Sequence, residues 1–190
     1  MRRFYQQRRF KIRFLRLMAA LVLIAVLSFA FPSAFEPQRL EGRVLRILDG
    51  DTVIFQPDNG VAVRLRLSNM DAPESDQPYG EESTQALKAM INHARITVQV
   101  EDIDRYGRTV GVIYHEGRDV CLEMVKQGMA WAYRDYLNDV TYLYHERLAR
   151  HEKRGLWSLE KEQRRPPWNW RREQRKEREK IQQLSLRGGP

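Results

Sequence analysis

A chain of 190 residues with 31% charged and 42% hydrophobic residues is neither wholly disordered nor a multi-span membrane protein. One cysteine, Cys121, and four scattered histidines (His93, His115, His145, His151) exclude an intrachain disulfide framework and a zinc site built from Cys or His. The formal charge of +8 belongs to the two ends. Residues 1–16 carry seven Lys/Arg and no acid, residues 160–190 carry ten Lys/Arg against five Glu, and 17–159 are left at −4. A basic total would suggest nucleic acid, but here it cannot carry that conclusion alone.

In chain order, the first element is apolar. Leu17 to Phe35 is a run of nineteen uncharged residues directly behind the basic leader. Basic, then apolar, then small residues is the layout of a secretory signal, and the run is just long enough to span a bilayer as a helix. Residues 1–35 are therefore expected to be a signal peptide or an N-terminal membrane anchor, with Ser28 and Ala30 suited to the −3 and −1 positions of a cleavage site. The positive-inside rule keeps residues 1–16 in the cytoplasm and sends the rest across. The expected location is periplasmic or extracellular, or membrane-anchored through 17–35 with the folded part outside the cytoplasm.

Residues 43–48 and 52–56 alternate at strand period, with Asp49-Gly50-Asp51 between them. Pro57-Asp58-Asn59-Gly60 is a hairpin turn, and 61–70 returns as a third strand. Residues 80–94 read as a helix with Ala86, Leu87, Met90, Ile91 and Ala94 on one face. Strands follow at 96–101 and 109–114, joined by the turn Asp104-Arg105-Tyr106-Gly107-Arg108. Helices near 119–128 and 140–154 complete the domain, the latter stopping at Gly155. Cys121, flanked by Val120, Leu122, Met124 and Val125, reads as a small buried hydrophobe. Three strands, a helix and two strands is the element order of an OB-fold: an α+β chain with a five-stranded barrel and about three helices over 41–158. The extension at 159–190 reads as a mixed-charge, partly helical and solvated tail rather than a binding arm.

Two carboxylate-bearing segments stand out: Asp49-Gly50-Asp51-Thr52 at a strand-to-strand turn, and Asp71-Ala72-Pro73-Glu74 directly after the third strand. In a small barrel these segments can meet. Asp51, Asp71 and Glu74 would then offer hard oxygen ligands that suit Ca²⁺ or Mg²⁺. Taken singly, each segment is an ordinary turn or helix entry. Arginine weighs against that. Arg66 lies on the third strand five residues before Asp71, and an arginine inside a small barrel is costly unless it meets an anion. An ion pair with Asp51 or Asp71 would satisfy it. With Arg108, it would also equip the site for phosphodiester attack: guanidinium forks and a cation against the phosphoryl oxygens, and a carboxylate to handle a water.

The segments GRVLRILDGDTV, VRLRLSNMDAPES, DRYGRTVGVIY, VKQGMAWAY and KRGLW, in this order, resemble the staphylococcal nuclease (thermonuclease-like) family. The resemblance runs from Gly42 to Trp157, with a PPWNWRR tail also seen in some bacterial members. It implies an OB-fold endonuclease that uses Ca²⁺ to hydrolyse DNA and/or RNA, cutting the P–O5′ bond and leaving 3′-phosphates. By the same resemblance Asp51 and Asp71 bind Ca²⁺ through carboxylates and Ala72 through its carbonyl. Glu74 is the general base or the orienter of the attacking water, and Arg66 and Arg108 clamp the phosphate. Asp49 is a supporting acid, and Tyr133 or Tyr136 holds the nucleotide. Two departures are visible. Ala72 offers no side-chain oxygen where some members have Thr, and Cys121 stands where Asn is frequent.

All of Asp51, Arg66, Asp71, Glu74 and Arg108 are present, which favours an active enzyme over the alternative, a non-catalytic OB-fold module that binds nucleic acid without cutting; the chain is expected to be a monomer. A two-carboxylate glycoside hydrolase would need an acid–base pair and no arginines, and is disfavoured by Arg66 and Arg108.

Overall fold

The computed structural model describes residue 18 and residues 38–137 and 139–187. The expected signal or anchor at 1–35 lies outside the described residues, Met18 apart. Among the described residues no helix is long and apolar enough to cross a membrane.

The elements are β1 (Arg39–Ile47), β2 (Thr52–Pro57), β3 (Val63–Leu67), β4 (Met70–Asp71), α1 (Gly80–Ile91), β5 (Arg95–Ile103), β6 (Thr109–His115), β7 (Arg118–Asp119), α2 (Val120–Lys126), β8 (Trp131–Ala132), α3 (Thr141–His151) and α4 (Pro167–Arg187), with short 3-10 turns at Arg134–Tyr136 and Gly155–Ser158. The large sheet runs β3-β2-β1-β5-β6-β7, and β3 also pairs with β6, so β1, β2, β3, β5 and β6 close into a barrel. The closing pair is parallel, with Leu65 opposite Thr109, Arg66 opposite Val110 and Leu67 opposite Gly111. All other pairings in this sheet are antiparallel. This is the α+β, OB-type architecture expected from the element order.

Alternation along the strands fills the barrel. Val44, Val53, Phe55, Leu65 and Val98 are fully buried, as are Leu87 and Ile91 of α1 and Met124 of α2. Each such side chain contributes roughly 1.5–3 kcal/mol on burial. α1 buries Leu87 and Ile91 and packs Ala86 and Met90 against the core, as Ala94 does just beyond it; this is the expected face, and Gly80, Ser83 and Thr84 near its start are buried too. Cys121 is wholly buried, and burial pushes its thiol well above the ordinary range, as fits a packing residue. α3 ends at His151, before Gly155, which lies beyond it in a 3-10 turn.

A second apolar cluster lies outside the barrel. Trp131, Ala149, Leu156 and Trp157 form it, with Tyr79, Leu159 and Trp168 packed against them. Trp131 meets Trp157 and Trp168 edge-on at 4.5 and 5.7 Å between centroids. The Arg150 guanidinium lies 3.9 Å from the Trp157 ring centroid and pairs with the buried Glu146 at 3.2 Å. The expectation of a solvated tail is corrected here. Pro167 is buried and Trp168 to Trp170 are half-buried, so the first turn of α4 is docked, while the later turns are exposed. The reason is aromatic: two tryptophans in the first turn bury surface that the charged residues after them do not.

Candidate active site

The backbone gathers the carboxylates at one end of the barrel. The β1–β2 turn places Asp51 just before β2, where its own N–H donates to Asp49 Oδ1 at 3.0 Å. Gly50 is needed in this turn, since a Cβ there would press into Ala72 Cβ at 2.7 Å. β3 does not run on to Met70 as expected. It breaks at Ser68-Asn69, where Asn69 adopts φ 62°, and restarts as β4, which pairs with β8 through Met70–Ala132 and Asp71–Trp131. Asp71 is thereby turned into the end of the barrel. The 74–80 loop is closed by Gln77 N–H to the Glu74 carbonyl and Gly80 N–H to the Gln77 carbonyl, both 2.9 Å. Gly80 packs directly on the Glu74 carbonyl, which leaves no room for a side chain there.

Arg66 joins the two aspartates. Its Nη2 donates to Asp71 Oδ1 at 2.6 Å and lies 3.1 Å from Asp51 Oδ2, while Nη1 donates to the carbonyls of Leu67 at 2.8 Å and Met70 at 3.2 Å. Asp51 Oδ2 also accepts the Ala72 N–H at 2.9 Å, and Oδ1 accepts the Thr52 hydroxyl at 3.0 Å. Burial pulls the Arg66 pKa down, but Asp51 and Asp71 outweigh it and hold the guanidinium above its usual value. Asp71 is fully buried. Desolvation pushes its carboxyl up to about 6 against the pull of Arg66 and of a second arginine, Arg171. Asp49 is likewise raised to about 6, by burial and then by the charge of Asp51.

That second arginine is the residue the sequence reading missed. Arg171 Nη2 donates to Asp71 Oδ2 at 2.8 Å, and Nη1 donates to Asp71 Oδ1 at 3.1 Å and to Glu74 Oε1 at 2.6 Å. The α4 turn is latched beside it, with Trp170 Nε1 donating to Asp76 at 3.0 Å and the Gln77 amide donating to the Arg165 carbonyl. Trp168 stacks on Tyr133 at 5.5 Å and 14°. The available signal was the WNWRR string, in which aromatic and basic residues interleave.

Of the expected residues, Asp51, Arg66, Asp71, Ala72 and Glu74 come together, with Asp49 beside Asp51. Tyr133 borders the group: its N–H donates to the Asn69 carbonyl at 3.0 Å, and burial, then the Asp71 charge, raises its hydroxyl pKa. Tyr136 lies 5.0 Å from the Tyr133 ring and is mostly exposed. Arg108 is not in contact with the carboxylates. It sits two residues before Val110, the β6 partner of Arg66, and its Nε is held by Asp104 at 2.7 Å.

The donor chemistry fits a hard divalent cation: carboxylate and carbonyl oxygens, without thiolate or imidazole. Among the described residues, however, no three of His, Cys, Asp and Glu are grouped as a metal site. The oxygens of Asp51 and Asp71 converge on Arg66, and those of Asp71 and Glu74 on Arg171. A cation at Asp71 and Glu74 competes with Arg171 for the same oxygens.

One end of this OB-type barrel thus gathers three carboxylates, Asp51, Asp71 and Glu74, around two guanidinium groups, Arg66 and Arg171. The family model described as staphylococcal nuclease homologue matches residues 64–159. An uncharacterized endonuclease of Escherichia coli O157:H7 is 44% identical over 133 residues, covering 70% of this chain and 85% of the relative. Protein ParB of Escherichia coli is 39% identical over 178 residues, covering 86% and 95%. A micrococcal nuclease of Shigella flexneri is 38% identical over 169 residues, covering 83% and 92%. The chain belongs to the staphylococcal nuclease family.

Proposed function

We propose that this chain is a Ca²⁺-dependent nuclease that hydrolyses phosphodiester bonds of DNA and/or RNA at the Asp51–Arg66–Asp71–Glu74 site and leaves 3′-phosphates. The observation that carries it is the buried pairing of Arg66 with Asp51 and Asp71, with Glu74 alongside. A structural ion pair would need one acid. Here two acids converge on one guanidinium, and a third stands within reach of the same aspartate through Arg171. The nuclease names of the relatives support the same reading.

A bound Ca²⁺ at the Asp51 and Asp71 carboxylates would supply charge against the phosphoryl oxygens. The chain's own residues do the rest. Arg66, whose terminal nitrogens are held by Asp51, Asp71 and two backbone carbonyls, would exchange part of that pairing for a phosphoryl oxygen, and Arg108 would reach it from the turn before β6. Glu74, whose side chain is about one-third exposed, is open to water and can accept a proton from it. Attack at phosphorus then breaks the P–O5′ bond, the electron pair stays on O5′, and the phosphate remains on the 3′ side. Tyr133, beside Asp71, offers a ring for the nucleotide. We further propose that the domain works outside the cytoplasm, on the strength of the basic leader and the apolar stretch at 17–35.

The test is cleavage of labelled single-stranded DNA and RNA with calcium, with magnesium and with EDTA. Cleavage with calcium, less with magnesium and none with EDTA is expected, because Mg²⁺ demands a tighter octahedral shell. Products should resist 3′ extension by a polymerase until phosphatase treatment. Full activity in EDTA would sink the metal assignment.

A further inference from the structure

Arg171 fixes how α4 is turned. Its guanidinium reaches Asp71 and Glu74, Trp168 stacks on Tyr133, and Trp170 donates to Asp76, so the side of the helix centred on Arg171 faces the barrel. Each further residue advances about 100° around the helix. Arg175 and Arg178 therefore lie within about 40° of Arg171, Glu173 and Glu177 lie more than about 100° away, and Glu179 lies on the flank at about 80°. Gln174, at the edge of the stripe, is half-buried, and from Arg175 to Leu184 every residue is exposed.

The stripe is unusual for a solvated helix. A helix stabilised by its own charges sets acids and bases three or four residues apart on each face, and like charges at that spacing repel. Arg171, Arg175 and Arg178 are so spaced and all positive. Among the described residues, Arg175 and Arg178 form no ion pair, and Glu173 turns elsewhere, to Arg165 at 3.0 Å. Asp71 and Glu74 already offset Arg171, whereas Arg175 and Arg178, over the next ~10 Å of helix, are like charges that an added anion would offset. Beside the start of the stripe run three aromatic rings in series, Tyr136, Tyr133 and Trp168, at 5.0 and 5.5 Å between centroids. A basic track flanked by aromatic rings suits phosphates with unpaired bases.

We propose that Arg175 and Arg178, which continue on α4 the stripe that Arg171 begins, bind the sugar-phosphate backbone of a single-stranded nucleic acid and lead the strand out of the active site. The inference rests on the nuclease reading and adds to it a substrate form and a surface. It assigns the C-terminal extension a role in length-dependent substrate binding, separate from bond cleavage.

The experiment compares two double variants of the full-length chain that remove equal charge from different faces, Arg175→Ala/Arg178→Ala and Lys176→Ala/Lys180→Ala. The substrates are a fluorescein-labelled trinucleotide, a single-stranded 12-mer and the 12-mer duplex, with calcium. Loss of Arg175 and Arg178 should raise KM for the single-stranded 12-mer about tenfold and lower the slope of log affinity against log salt by about 1.4. Trinucleotide kinetics and the melting temperature should not move. The lysine variant should change the 12-mer KM less than twofold. Equal effects of the two variants, no effect of either, or preference for the duplex would overturn the proposal. If the unaltered chain cuts none of the substrates, the nuclease reading falls by itself. Anisotropy of the labelled 12-mer in EDTA then decides the stripe by the same comparison of variants.

Discussion

Arg66 and Arg171 compete for one carboxylate, Asp71, yet they hold it differently. Arg66 is enclosed: its side chain is 11% exposed and also satisfies two backbone carbonyls, so its fork is fixed before any substrate arrives. Lysine at this position keeps the charge and loses the fork. Arg66→Lys and Arg108→Lys should each lower kcat by ~10²–10³ with the far-ultraviolet circular dichroism unchanged. A near-normal rate in either variant would make that arginine structural. Arg171, with a side chain 42% exposed, is held only by carboxylates that a cation would also use. A half-exposed pair of this kind is worth about 1 kcal/mol, or roughly fivefold in an equilibrium constant. Arg171→Ala should therefore bind calcium roughly fivefold more tightly in titration calorimetry. An unchanged Kd would show that the guanidinium does not compete.

The elements differ in how far the sequence reveals them. The barrel strands, the 57–60 turn and the helix after the DAPE segment are legible because each carries its own periodicity or turn chemistry. Asp51, Asp71 and Glu74 are legible as a group because the connections between neighbouring strands are short. The break at Ser68-Asn69 is marked only weakly: the alternation ends at Leu67 and Met70 returns out of phase, but the pairing of β4 with β8, about sixty residues later, is what selects a left-handed Asn69. Arg171 is invisible for a similar reason. It meets Asp71 across one hundred residues of chain, and nothing local in WRREQRKEREK separates its first arginine from the others. The aromatic residues before it make the difference, because they dock the helix. Trp168→Ala should lower stability by about 2 kcal/mol in urea denaturation, through loss of the Tyr133 stack and the Trp131 edge contact. An unchanged midpoint would mean that the first turn of α4 is not held against the domain.

For the whole molecule, the division of charge along the chain has a spatial meaning. The mildly acidic middle of the sequence forms the barrel and its carboxylates, while a basic segment at its C-terminal end supplies a guanidinium to the same place. The basic N-terminal segment has a different expected use, orientation in a membrane. A fusion of alkaline phosphatase after Trp157 should be active, because that reporter needs export to form its disulfides. An inactive reporter in a stable fusion would refute export. The central claim is that Glu74 handles the attacking water at a site whose cation is held chiefly by Asp51 and Asp71. It is tested most directly by one paired measurement on Glu74→Gln, calcium binding by calorimetry and single-stranded DNA cleavage on the same preparation. An amide cannot take the proton, and Asp51 and Asp71 are untouched. Calcium should still bind while cleavage falls by at least ~10². Cleavage at the normal rate with calcium bound would contradict the account.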